Sequence, residues 1–186
     1  MIATVLSAAA IPVVYATHQP EEALRLAHRI GLIKAGRLRP LRALRHAGED
    51  AGLARFFGGD GPGAVVEGRL VSHDLKTGLA LYETDIGPLI GPGAAAPAGA
   101  RVRGVLPGAR LRIEPETEGA ERRHGHLPAK VIDAQAGADG RAFVALSVQG
   151  KRVYARIGRR ASGLEKGADV RVIVDAAAWE PIYVPE

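Results

Sequence analysis

The sequence predicts a mainly β chain, two small OB-like barrels preceded by a short α/β block. Three observations predict it. Short β-branched runs are separated by Gly- and Pro-bearing turns, the later part of the chain repeats itself, and helical spacing gives way to β periodicity after a Gly-rich linker at residues 58–63. Composition agrees. Of 186 residues, 47% are apolar, only 4% are aromatic, and 24 Gly with 12 Pro supply many turns. That mix suits small barrels better than a helix bundle.

The α/β block spans residues 1–59. Ile11-Pro12-Val13-Val14-Tyr15-Ala16 is a short β-branched run that predicts a buried strand. Pro20 sits where a helix would start, with Glu21 and Glu22 in the positively polarised first turn and Ala23, Ala27 and Ile30 at helical spacing. Glu21 and Arg25 are spaced to pair on that helix. Gly31-Leu32-Ile33-Lys34 predicts a second strand and Ala35-Gly36-Arg37 a turn. Leu41, Leu44 and Leu53 then suit a short helix.

Beyond the linker, strands are predicted at 64–72, 79–84, 101–106 and 109–114, and again at 128–135, 142–149, 151–158 and 169–178. The two sets repeat. Gly99-Ala100-Arg101-Val102-Arg103 recurs as Gly167-Ala168-Asp169-Val170-Arg171, and Glu67-Gly68-Arg69-Leu70-Val71 resembles Pro128-Ala129-Lys130-Val131-Ile132. A turn follows each first strand, at Thr77-Gly78 and at Asp139-Gly140. The expected units are therefore residues 64–116 and 125–181.

The chain has no cysteine, which excludes disulfides and thiolate metal sites, and no metal site of another kind is predicted. A net charge of +5 favours acidic partners such as nucleic acid, phospholipid head groups or small oxyanions, the plain alternative being a soluble Arg-rich surface. Residues 1–16 are nearly uncharged, but Lys and Arg are missing before Arg25 and Pro12 interrupts the run, against a signal peptide. The run is also shorter than the roughly 20 residues that a membrane-spanning helix needs.

Pro12 to His18, then Glu22 to Ile30, then Lys34-Ala35-Gly36-Arg37, resemble the end of an ABC-transporter nucleotide-binding domain. The resemblance places His18 on the family's switch histidine, which senses the γ-phosphate; an imidazole N–H can donate to a phosphate oxygen. Gln19 and His28 stand where many relatives carry Asp. The chain has no Gly-x-x-x-x-Gly-Lys-Ser/Thr loop, signature loop or magnesium-holding carboxylate before His18. Taken alone it is expected to lack ATPase activity, ATP and magnesium being cofactors of full-length family members.

Leu127-Pro128-Ala129-Lys130-Val131, the Asp139-Gly140 turn, Val153 to Ile157 and Lys166-Gly167 with Val170 resemble a Mop repeat of the TOBE class, with 64–115 a weaker first copy. Two such repeats after an ABC domain are similar to the carboxy-terminal part of a molybdate importer's ATP-binding subunit. The resemblance implies a cytoplasmic protein at the inner face of the membrane, a homodimer formed through the β repeats, an ABC permease partner, and molybdate or tungstate as ligand.

A tetrahedral dianion needs several donors and fixed cations, because stripping its water is costly. By resemblance the candidates are Arg122, Arg123, His124, Arg156, Arg159, Arg160 and Ser162. The matches are poor. The family's Ser-x-Arg-Asn falls on Arg122-Arg123-His124-Gly125, a family Thr falls on Gly158, and the Lys of the last strand falls on Asp175. A carboxylate within about 4 Å of a dianion repels it by about 1 kcal/mol even in water. Oxyanion binding is thus expected to be weakened, and Asp175→Lys to improve it.

Regulation and dimerisation of an importer ATPase is the leading expectation. Its alternatives are a stand-alone oxyanion-binding protein of the molbindin kind and an OB-like nucleic-acid binder. The eight aromatic residues argue against the last, since such surfaces stack bases on aromatic rings.

Overall fold

The computed structural model describes residues 12–115, 124–136, 142–157 and 164–185. Helix α1 (Pro20–Leu26) opens the N-terminal block, followed by two-residue strands β1 (Arg29–Ile30), β2 (Ile33–Lys34), β3 (Arg37–Leu38) and β4 (Arg42–Ala43). A 3-10 turn (Leu44–Glu49) and helix α2 (Ala51–Phe56) complete it. The helix is shorter than its apolar spacing predicts. Ala27 is already extended at φ −80 and ψ 143, and Arg29–Ile30 pairs with β4 instead.

Residues 12–16 do not form the buried strand predicted for them. They are outside any strand, with Val13 48% exposed and Val14 fully exposed. A β-branched run becomes a strand only against a partner, and none of the described residues pairs with it. Leu41, Leu44 and Leu53 do not line one helix: Leu41 is exposed ahead of β4, while Leu44 opens the 3-10 turn and Leu53 lies in α2, both buried. Asp50 caps α2 by accepting from the N–H groups of Gly52 and Leu53 at 2.8 and 3.1 Å.

The β region comprises β5 (Gly63–Asp74), β6 (Leu79–Thr84), β7 (Gly87–Pro92), β8 (Arg101–Pro107) and β9 (Arg112–Pro115). The second series is β10 (His126–Ala136), β11 (Ala142–Val148), β12 (Lys151–Ile157), β13 (Asp169–Ile173) and β14 (Ile182–Tyr183). Two of these strands were not predicted. Gly87-Pro88-Leu89-Ile90-Gly91-Pro92 reads as turn chemistry, yet an edge strand tolerates proline, and β7 is an edge. The last strand, β14, is only two residues long. Conversely, residues 108–110 and 176–178 are 3-10 turns, so the strands predicted at 109–114 and 169–178 shorten to β9 and β13.

Pairing shows a feature that linear order hides. One sheet runs β14-β8-β5-β6-β7 and the other β12-β11-β10-β13-β9. Each series of five strands gives its last member to the other sheet. The repeat is otherwise faithful: β5 bulges between Leu70 and Ser72, and β10 between Val131 and Asp133. Beside each bulge the same backbone pair recurs. Leu70 N–H donates to Ala100 O at 3.0 Å and Gly99 N–H to Leu70 O at 2.8 Å, against Val131 N–H to Ala168 O at 2.9 Å and Gly167 N–H to Val131 O at 2.8 Å.

One continuous core joins the sheets, from Val66, Leu70, Tyr82 and Leu106 to Val144, Leu146, Val153 and Val172. Residues 63–66 of β5 are buried on both faces. Ala64 and Val66 face that core, whereas Val65 joins a second cluster with Leu24, Leu44, Ala47 and Leu53. The N-terminal block is thus stacked on the outside of the first sheet, and alternation is lost where both faces are covered. Ile182 of β14 packs against the same cluster. Among the described residues, no helix is long and apolar enough to cross a membrane.

Candidate functional site

His18 precedes α1 at an exposed bend and makes no hydrogen bond among the described residues. Its neighbours are fixed instead. Glu22 accepts from the Thr17 hydroxyl, and Thr17 Oγ1 accepts from Gln19 N–H at 3.0 Å. Tyr15 O–H donates to Glu22 at 3.1 Å, and the adjoining carboxylate raises the Tyr15 pKa above its ordinary value. The carboxylate three residues into the helix secures the chain that carries His18.

Arg122, Arg123, Arg159, Arg160 and Ser162 lie outside the described residues, as does Gly158. His124 and Arg156 are exposed, and they sit far apart within the second repeat. Arg156 pairs across to Phe143 and thence to Gln135 near the end of β10, whereas His124 precedes its start. About 30 Å of extended strand separates those two levels.

His124 is instead held beside Asp175. Gly125 O accepts from Val174 N–H at 2.8 Å, while Gly125 N–H donates to Pro88 O of the first repeat at 3.0 Å. Into this corner the exchanged strand β9 and the 3-10 turn before it bring two cations that the sequence reading missed. Arg112 Nη2 lies 3.0 Å from Asp175 Oδ1, and Arg110 Nη1 donates to Ala177 O at 3.2 Å. Arg112 is paired across to Ile173, which also faces His126 on the other side. Asp175 is therefore not a bare negative charge. Both members of the ion pair are some 60% exposed, so the pair is weakly held and open to a competing anion.

This correction alters the expectation for Asp175→Lys. A lysine there would face Arg112, and like charges would repel across the gap that now holds an ion pair. The only signal in the sequence was an arginine on a strand assigned to the other repeat.

The mirror corner of the first repeat has the opposite character. Following the strand pairing, Arg112 matches Glu180, Asp175 matches Pro107 and His124 matches Gly63. None of these three matching residues is a cation. A shallow groove of about 470 Å³ on the second sheet offers less: among its lining residues Lys130 is the one cation, and Asp169 at 2.9 Å balances it. No cluster of three or more metal-ligating side chains exists among the described residues.

Comparison with known proteins follows the same division. No protein-family model matches the chain. It is 31% identical over 183 residues to the molybdenum import ATP-binding protein ModC of Granulibacter bethesdensis, covering 93% of this chain and 50% of that one. The corresponding proteins of Aromatoleum aromaticum and Albidiferax ferrireducens are 32% and 33% identical over 90% of this chain, and 45% and 46% of theirs. The chain thus spans about half the length of the curated relatives it matches. In structure it resembles the cytoplasmic molybdate-binding protein ModG, with a TM-score of 0.52 and 19% identity over 65% of this chain and 95% of that one. That likeness establishes an OB-like Mop fold for the repeats. By sequence the chain corresponds to the carboxy-terminal part of the molybdenum import ATP-binding proteins it matches.

Proposed function

We propose that this region regulates and dimerises the ATP-binding subunit of a molybdate importer, and that it binds the oxyanion weakly. The observation that supports this best is the corner where Arg112 pairs with Asp175 and Arg110 holds the carbonyl of Ala177, two residues on, with His124 just ahead of the neighbouring strand β10. Cations gathered near one carboxylate suit a small dianion, but that carboxylate must be displaced or screened first. Arg122 and Arg123 immediately precede His124 in sequence and are proposed to complete this corner. Arg156, Arg159, Arg160 and Ser162 are proposed for a second oxyanion contact, supplied across an interface with another copy. The division into residues 1–59, 64–116 and 125–181 is part of the same proposal, with homodimerisation through the β repeats.

His18 is proposed as the switch histidine, its exposed imidazole free to meet a phosphate. ATP, magnesium and the permease would be engaged only by a full-length family member at the inner face of the membrane. Nucleic acid is a poorer ligand class. Tyr82, Trp179, Phe143 and Tyr154 are buried, leaving little aromatic surface for stacking bases.

Calorimetry with molybdate, using sulfate as the control, tests the reading. The expected dissociation constant is about 1 mM, near −4 kcal/mol. Absence of heat at saturating molybdate would sink the oxyanion assignment, and nanomolar binding would overturn its weakness. Sedimentation at the same concentrations tests the dimer. The stand-alone oxyanion-binding alternative rests on the 95% coverage of the ModG chain. Adjacent permease genes would decide against it.

A further inference from the structure

Arg103 is 6% exposed, a rare state for a charged side chain, and every contact it makes reaches across the fold. Its Nη1 donates to the carbonyls of Leu24 and Ala27, at 3.1 and 3.0 Å, at the end of α1. Its Nε donates to Glu67 Oε1 at 2.8 Å. Glu67 is in turn bound to the β6–β7 turn: its N–H donates to Asp85 Oδ1 at 3.2 Å, and its carbonyl accepts from Asp85 N–H at 2.9 Å. The other oxygen of Asp85 accepts from Lys151 Nζ, and Lys151 is the first residue of β12.

We infer that Arg103, Glu67, Asp85 and Lys151 form a polar relay through which the second repeat sets the position of α1 and of His18 before it. The relay begins at helix backbone, crosses the first sheet and ends on the strand that carries Arg156. It is present on one side of the molecule only, because the repeat symmetry does not reproduce it. Following the strand pairing, Pro128 stands in place of Glu67, Gln149 in place of Asp85 and Gly87 in place of Lys151; only Arg103 has a like mate, Arg171. The links through side chains are charge-assisted; the Arg103 and Lys151 side chains are 8% and 15% exposed, and their carboxylate partners Glu67 and Asp85 39% and 38%. Its use in sensing an oxyanion rests on the function proposed above; the mechanical link does not.

Hydrogen exchange on the intact chain tests the relay, read at the amides of Ala23 and Ala27. Arg103→Met removes all three charge-assisted bonds of Arg103 and should speed exchange at these amides at least about tenfold, the loss expected from one such bond alone. Arg103→Met could also loosen the fold, so the deciding variant is Lys151→Met, with the near-ultraviolet signal of Trp179 as a control for intact packing. It should speed exchange at Ala23 and Ala27 about threefold. Acceleration confined to residues 84–87 and 148–151 would overturn the relay, since a merely local ion pair predicts that pattern. Molybdate gives the second arm. If calorimetry shows binding, exchange at Ala27 should shift in the natural sequence and not in Glu67→Gln; binding without that shift overturns the relay and leaves the oxyanion reading standing. If no binding is found, the oxyanion reading fails, and Lys151→Met alone decides the relay.

Discussion

The two repeats plug their barrels in opposite ways. In the first, Trp179 enters from the neighbouring repeat's chain and meets Tyr82 edge-on, with ring centroids 5.1 Å apart. Its indole N–H donates to Ile90 O at 3.1 Å. Room for the ring comes from two glycines: a Cβ at Gly91 would lie 2.7 Å from the indole, and one at Gly104 only 2.6 Å. In the second repeat the matching positions are Leu111, Leu146, Ala155 and Val172, all buried. One large ring with two absent side chains fills what several medium side chains fill in the mate. Equivalent backbones therefore do not require equivalent residues, only a conserved sum of volume.

The largest break in this comparison is expected from Trp179→Ala. It removes the ring, leaves the glycine-lined space empty and should cost about 3–5 kcal/mol in urea unfolding. Adding Gly91→Ala and Gly104→Val to Trp179→Leu transplants the second repeat's solution and should recover much of that loss. If recovery is absent, the volume argument fails. Leu111→Ala, at the matching position of the second repeat, should cost less, about 2–4 kcal/mol by the same measurement.

The cationic corner gives a smaller effect that separates the repeats by charge. Asp175→Asn frees Arg112 and should tighten molybdate about fivefold in calorimetry, near 1 kcal/mol. Glu180→Gln, at the mirror corner, should leave affinity unchanged. Equal gains at both corners would dissolve the distinction.

The smallest expected effect is alkaline. Burial raises the Tyr82 pKa above its ordinary 10.0, partly offset by the Ala94 N–H that its oxygen accepts. The neutral phenol donates to Pro92 O at 2.6 Å. A folded-state pKa above the unfolded one gives stability that is fully present below pH 10 and lost as pH rises through the folded value. Thermal melts should show this decline, and Tyr82→Phe should abolish it. Leu146, its mate, has nothing to titrate.

Much of the fold was legible because it is local. The repeat of Gly99–Arg103 at Gly167–Arg171 marks identical turns and strand starts, and the structure places both beside a bulged first strand. The helix at Pro20 was legible from its first turn, although its end was not, since pairing of Arg29 with Ala43 decides it. The strand expected at Ile11–Ala16 does not form over its described part, residues 12–16, which pair as a strand with no other described residue. Of the candidate site, His124 and Arg156 are on exposed positions, but the resemblance that grouped them carries no distance, and the length of β10 separates them in one chain.

By itself the sequence determined the β class, the two repeats and the family, because turn chemistry, strand periodicity and motif order are carried by residues close together in the chain. Only the tertiary structure decided that each repeat lends its last strand to the other. That exchange brings Arg112 to Asp175 and Trp179 to Gly91 and Gly104. The physical reason is that strand pairing and side-chain packing are contacts in space, and periodicity along one strand does not specify which neighbour it will meet.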